Sequence, residues 1–334
     1  MAEGEGQGDG WGASGGDIFA KMNAEGRHDG RVLRWFNRRG WSDVVIATPY
    51  VWLILFFFLP FLIVVAMSFA TRTPTAPPFS FGGEHPLINL EGYARLVQDS
   101  LYIRAYLTSV VNAALATVLC LIIGYPMALA LTRVSPSWRN VLLMLVILPF
   151  WTSFLLRVYA WMGLLGNNSW FNRGLTEIYN WVVPADWAVR SIPMMHSNFA
   201  VVLVMVYSYL PFMILPLYAN LEKLDRTLDE AAMDLGSRPF RVFLDVTLPL
   251  SVPGMIAGGL LVFIPAAGEL IIPSLVGDAS RPMIGRVISD EFASARDWPM
   301  ASAVAVALLL LLVLPMMAYT HFEAKAARRA EDPT

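Results

Sequence analysis

The sequence predicts an all-α integral membrane protein with six transmembrane helices, and three observations carry that prediction. Of 334 residues, 56% are hydrophobic and only 15% charged, against about 45–50% and about 25% for an ordinary soluble domain. The apolar residues fall in continuous blocks long enough to cross a bilayer, which takes about 20 residues at 1.5 Å each. Two of the blocks, Val44–Thr71 and Ala105–Thr132, contain no charged side chain at all. Strands of a transmembrane barrel would alternate apolar and polar residues, and these blocks do not.

The two uncharged blocks are the first and second spans. The third runs from about Asn140 to Leu165 and the fourth from about Asn198 to Ala219; the fifth covers about Pro249 to Val276 and the sixth about Pro299 to Thr320. Pro60, Pro126, Pro149, Pro211 and Pro265 lie inside spans, where a kink is tolerated if neighbours satisfy the freed backbone groups. The first block is too long and begins too late for a cleaved signal peptide, so it reads as a retained helix.

Charge gives the orientation. With both termini in the cytoplasm, Arg31, Arg34, Arg133, Arg139, Lys223, Arg238, Lys325 and Arg328 stay inside, whereas the opposite loops mix fewer basic residues with acids. Residues 1–43 begin with a Gly-rich, acidic stretch that reads as a disordered cytoplasmic tail. Residues 44–104 hold the first span and an outer loop, 105–321 a core domain, and 322–334 a cytoplasmic C-terminal tail. The loop after the third span carries Trp170, Trp181 and Trp187, which suit an interfacial belt and short amphipathic helices. Cys120 is the single cysteine, so no disulfide forms within the chain. The four histidines have no shared spacing that would gather metal ligands. Basic residues are spread over several loops, which gives no nucleic-acid surface.

The connection from Leu221 to Leu248, inside the segment 221–249, has helical periodicity. Leu224, Leu228, Ala231 and Leu235 recur at spacings of four, three and four, which predicts a short amphipathic helix. Gly236 supplies a left-handed position to end it; Ser237 and Pro239 are placed to cap and start a second helix. Within this loop, Glu230-Ala231-Ala232, Gly236 three residues on, and Val246-Thr247-Leu248-Pro249 after nine more resemble the EAA motif of permease subunits of binding-protein-dependent ABC importers. Val246 stands where that family more often has Ile, a loss of one methylene on an apolar contact. The resemblance implies the type I importer permease fold, in which this loop is a coupling helix docking on an ATPase subunit. Glu230, Ala231, Ala232, Gly236, Val246, Leu248 and Pro249 would then carry the coupling. Spacing alone leaves open a helix lying on the membrane surface.

The segment Phe263–Pro273, with Met283-Ile284-Gly285-Arg286 and Arg296-Asp297-Trp298-Pro299, is similar to the polyamine branch of that family. The cargo implied is putrescine, with spermidine as an alternative; ferric ion or an organophosphonate would also be compatible with the loop, which reports coupling and not cargo. Apart from any resemblance, Glu269 lies inside the fifth span, and an ionisable group at that depth faces a cavity, a partner or a path. A carboxylate suits a cationic cargo, and aromatic faces suit both its charge and its methylenes. Tyr159, Trp161, Tyr207 and Tyr209 are candidates to line such a path with Glu269. They are equally compatible with packing, and Glu269 with a structural pairing to Arg157, the one basic residue inside a span.

The sequence has no G-x-x-x-x-G-K-[ST] phosphate loop. The chain is therefore expected to be no enzyme and to hold no cofactor of its own, ATP and Mg being bound by a partner ATPase dimer. The resemblance further implies a second homologous permease subunit, a periplasmic polyamine-binding protein, and a bacterial inner-membrane location in contact with lipid. A secondary transporter driven by an ion gradient is the rival from another class, but paired inverted repeats are not discernible.

Overall fold

The computed structural model describes residues 39–82, 88–184, 187 and 189–331. Residues 1–38, most of the expected N-terminal tail, and 332–334 lie outside them. The chain divides into two units, residues 1–64 and 65–334.

The first unit contributes helix α1, Arg39–Leu53, and a π-helical turn, Ile54–Phe58. Helix thus begins inside the segment expected as tail. Together with α2, Leu59–Met67, these residues give an apolar stretch, Val45–Met67, in which no residue is buried.

The second unit continues with a two-residue hairpin, β1 Thr71–Arg72 against β2 Phe79–Ser80, and helices α3 Glu91–Gln98 and α4 Ser100–Arg133. Asp99 caps α4 by accepting from the Leu101 N–H at 2.9 Å. At 34 residues and 1.5 Å rise, α4 is about 51 Å long and overshoots an apolar core of about 30 Å.

The expected third span is not one helix. It is α5, Pro136–Ile147, a 3₁₀ turn, Leu148–Trp151, and α6, Phe154–Leu165; the helical pair Pro136–Trp151 and Phe154–Val182 is bent by 89°. Pro149 cannot donate to the helical ladder, and the chain turns extended at Thr152 and Ser153 before α6 begins. The amphipathic helix expected in the following loop is α7, Trp170–Val182, with Trp170 and Trp181 largely exposed.

Helix α8, Asn198–Leu221, is the fourth span. Then come α9, Arg226–Asp234; α10, Pro239–Val242; a π-helical turn, Phe243–Thr247; and α11, Leu248–Leu250. The expected fifth span is interrupted twice. A 63° bend precedes α12, Val252–Ala267, and Gly268-Glu269-Leu270 separates α12 from α13, Ile271–Val276. Helix α14, Ile284–Ser289, a π-helical turn, Asp290–Ser294, and α15, Trp298–Glu331, complete the chain. Helix therefore continues well into the expected C-terminal tail. Among the described residues three helices are long and apolar enough to span, or up to five if each bent pair counts as one.

The core lies where α4, α8 and α12 pack on one another. Small residues permit the contact: Ala113, Ala116 and Cys120 on α4 are fully buried. Gly254 and Gly258 give α12 a G-x-x-x-G face. A Cβ on Gly258 would stand 2.8 Å from Met213 Sδ and 3.0 Å from the Met213 carbonyl oxygen. A second cluster gathers Tyr102, Ile284, Val287, Met300 and Val304 where α4, α14 and α15 meet. There Asp297 caps α15 through the Met300 N–H at 3.0 Å and holds Arg72 at 3.5 Å and Arg95 at 3.8 Å.

Candidate functional site

Two constellations answer to the residues singled out in the sequence. The first is the loop around α9. Asp225 caps α9 by accepting from the Thr227 N–H at 3.0 Å, and the amide and hydroxyl of Thr227 hold its carboxyl below the usual carboxylate range. Helix begins at Arg226, so Leu224, counted on the apolar face by its spacing, precedes it. The helix ends on Gly236 at φ 87°. The Gly236 N–H donates to Met233 at 2.9 Å and the Ser237 N–H to Ala232 at 3.1 Å, the paired bonds of a Schellman ending. Ser237 serves this ending and does not cap α10. Arg238 occupies that N-cap without a side-chain bond, and Pro239 opens the helix.

The returning chain is fastened to the loop and to α4. Thr247 Oγ1 donates to Asp229 Oδ1 at 3.2 Å. Tyr125 packs edge-on against Phe243 at 5.6 Å, and its hydroxyl meets Ser251 Oγ at 2.9 Å. Between α9 and the ends of α4 and α8 is a cavity of about 250 Å³ lined by Leu129, Arg133, Leu221, Leu228, Met233 and Val246. Glu230, Ala231, Gly236 and Pro249 are exposed, while Ala232, Val246 and Leu248 are half-buried. Leu235 is 89% exposed and Phe240 72%. Leu228, Met233, Leu244 and Leu250 are exposed on the same segment, so its surface carries several bared apolar side chains.

The second constellation surrounds Glu269, which is buried. Its partner is not Arg157. Its carboxylate accepts from the Tyr209 hydroxyl, from the Ile271 N–H at 3.0 Å and from the Ile272 N–H at 3.5 Å. It thus satisfies the first amides of α13 at the break after α12 and ties that break to α8. Arg157 lies at the far end of an aromatic row. Its guanidinium carbon is 5.5 Å from the ring centres of both Phe150 and Phe154. Phe150 meets Phe212 at 5.0 Å, and Phe212 lies 6.2 Å from Tyr209. The Arg157 Nε and Nη1 are buried without an acceptor.

Of the four aromatics expected to join Glu269, only Tyr209 does. Tyr207 packs on Trp161 at 5.5 Å. Residues two apart on a helix point about 200° from one another, so Tyr207 and Tyr209 cannot share a face. Tyr159 is 53% exposed and belongs to neither pair. A search for charges in the spans passed over Asn112, a 2%-exposed amide in the middle of an apolar block. A buried polar side chain in such a block was itself the missed signal.

Residues 120–328 match the family described as binding-protein-dependent transport system inner membrane component. The chain is 38% identical to the spermidine/putrescine transport system permease protein PotB of Haemophilus influenzae, over 87% of this chain and 96% of that protein. It is also 38% identical to PotB of Escherichia coli K12, over 82% of this chain and 95% of that one. A crystal structure of a bacterial alginate ABC transporter, in complex with an alginate pentasaccharide-bound periplasmic protein, superposes with a TM-score of 0.66 at 15% identity. It covers 89% of this chain and 98% of the matched one. The chain therefore belongs to the family of binding-protein-dependent transport system inner membrane components, the multi-pass permease subunits of ABC importers.

Proposed function

We propose that this chain is one half of the pore of a polyamine importer, carrying putrescine or spermidine inward across the bacterial inner membrane. The observation that carries the proposal is 38% identity along almost the whole of both chains to permeases named for spermidine and putrescine. In this reading six spans cross the membrane with both termini cytoplasmic. A second, homologous permease completes the pore, and a periplasmic polyamine-binding protein delivers cargo. An ATPase dimer binds ATP with Mg and docks on the α9 loop.

The apolar side chains Leu235 and Phe240 enter the ATPase surface, and Glu230 adds a polar contact. Movement imposed there reaches α4 through Tyr125 and Ser251, and α12 through the bend at Ser251. Cargo access then alternates between the two sides, and the two sites are coupled energetically. Glu269, whose side chain accepts from one hydroxyl and two amides, supplies a carboxylate for an ammonium group. Arg157, with two unpaired N–H groups, sets a positive counterweight at the other end of the aromatic row.

The test is ATP hydrolysis by the reconstituted complex with its binding protein. Putrescine or spermidine is expected to stimulate it; stimulation by a different solute alone would keep the importer and remove the polyamine. Glu269 separates two contributions. Glu269→Gln keeps an amide oxygen for the Ile271 N–H, so the complex is expected to assemble while uptake falls by about tenfold or more. Glu269→Ala leaves two α13 amides and the Tyr209 hydroxyl without a partner, at about 1–3 kcal/mol each, and is expected to lower the Tm of the complex as well. Equal uptake by wild type and Glu269→Gln would show that the charge is not used.

A further inference from the structure

A second polar cavity opens at the end of α8 opposite the α9 loop. It holds about 330 Å³ and lies between α4, the start of α8 and the connection from α13 to α14. The length of α8, 24 residues, separates it from the loop by about 36 Å. Asn112 of α4 lines it and is 2% exposed. Its amide makes no hydrogen bond among the described residues, although its neighbour one turn back, Ser109, accepts the Ile284 N–H at 2.7 Å. The amide borders open volume, and its oxygen can accept from a donor placed there.

Asp278 lines the same cavity and is half-buried. Its two oxygens accept from the Ser280 N–H at 2.8 Å and the Ser280 hydroxyl at 2.7 Å, which fix it and leave lone pairs free. Asn198 adds a second amide, and Pro273 and Gly277 bring the last turn of α13 to the rim. Arg281 and His196 at the mouth are both exposed, so they border the cavity and do not fill it. His196 is held at φ 55°, an uncommon conformation for a residue with a Cβ.

We propose that this cavity is an amine subsite, in which the Asn112 amide oxygen and the Asp278 carboxylate receive one primary ammonium end of the cargo on the side from which it arrives. An ammonium group carries three donors and no acceptor. It is matched by a carboxylate and an amide oxygen that line the same cavity. The inference rests on the polyamine reading given above, and names residues that reading does not use.

The test uses the complete complex carrying Asn198→Cys, a change at an exposed position of the cavity wall beside a native cysteine, Cys120, that is buried. The rate of alkylation by a small maleimide is followed without binding protein, in putrescine and in 1,4-butanediol, which has the same length and no charge. Putrescine is expected to slow labelling and butanediol is not. Asn112→Leu and the isosteric Asp278→Asn are each expected to raise the putrescine concentration needed by about tenfold or more, the loss of one charge-assisted hydrogen bond. Asp278→Asn keeps the test valid if Asn112→Leu fails to assemble. Equal protection by butanediol, or unchanged protection in the assembled variants, overturns the subsite. The cargo reading fails separately, when putrescine-loaded binding protein does not stimulate ATP hydrolysis by the wild-type complex.

Discussion

Gly285→Val is expected to leave almost no folded permease in the membrane, and Gly285→Ala to lower its stability by about 3 kcal/mol or more. Gly285 sits in α14 directly behind the break between α12 and α13. A Cβ there would lie 2.5 Å from the Gly268 carbonyl oxygen, 2.6 Å from that of Glu269 and 2.9 Å from the Glu269 carbonyl carbon. All three atoms are backbone, so no side chain can swing aside to make room. Relief would have to come from moving the segment that presents Glu269 to Tyr209, or from pulling α14 off α4, where the Ile284 N–H is bonded to Ser109. Gly174→Ala is the control. A Cβ at Gly174 meets nothing within 4 Å, and alanine in a helix is worth about 0.5–1 kcal/mol over glycine. Thermal unfolding of the purified complex, with the membrane level of the subunit, reads both changes. Similar Tm values for Gly285→Ala and Gly174→Ala would show that the close approach is not a constraint.

Gly236→Arg is expected to have an opposite signature: a stable permease subunit that no longer couples. A Cβ at Gly236 has nothing within 4 Å, so nothing inside the chain collides with the new side chain. The cost within the subunit is the left-handed backbone at φ 87°, of order 1–2 kcal/mol for a residue with a Cβ. The larger effect falls on the partner. The ending at Gly236 presents Leu235 outward, and a long cation beside it would have to be desolvated or excluded on docking. Uptake is expected to fall by two orders of magnitude or more, about 3 kcal/mol of lost docking, with the subunit still present in the membrane. Copurification of the ATPase with the permease and uptake of labelled polyamine are the two measurements. Wild-type values of both would remove the α9 loop as the docking face.

The α9 loop was the most legible part of the chain, because the determinants of its structure are local. The helix, its glycine ending and the proline that opens the next helix depend on residues within a few positions of one another. The finer assignments that failed, Leu224 within the helix and Ser237 as a cap, failed to competing local chemistry. Asp225 caps one residue after Leu224, and the Ser237 amide is used to close the helix before it.

Spans were legible as apolar blocks, the second and fourth also as continuous helices, but the breaks in the third and fifth were not. Continuous hydrophobicity says that a segment avoids water; it does not say whether the backbone is straight. The breaks at Thr152-Ser153 and at Gly268-Glu269-Leu270 are set by where neighbouring segments satisfy the released backbone groups. For the second break the Glu269 side chain itself accepts from the Ile271 and Ile272 N–H groups, and Gly285 of α14 makes room for the Gly268 and Glu269 backbone.

The sequence by itself determined that this chain lies in a membrane, where the loop helix with its glycine ending stands, and that a carboxylate lies within the fifth apolar block. Hydropathy and short-range motifs report those properties directly. Only the tertiary structure decided the carboxylate's company. Glu269 bonds Tyr209 and two amides of α13 and not Arg157, Tyr207 faces Trp161, and Asn112 opens into a cavity shared with Asp278. Partners that are 60 and 166 positions apart in sequence (269 minus 209; 278 minus 112) meet because α4, α8 and α12 pack through small residues, and the rotation of each helix in that packing is a property of all three at once.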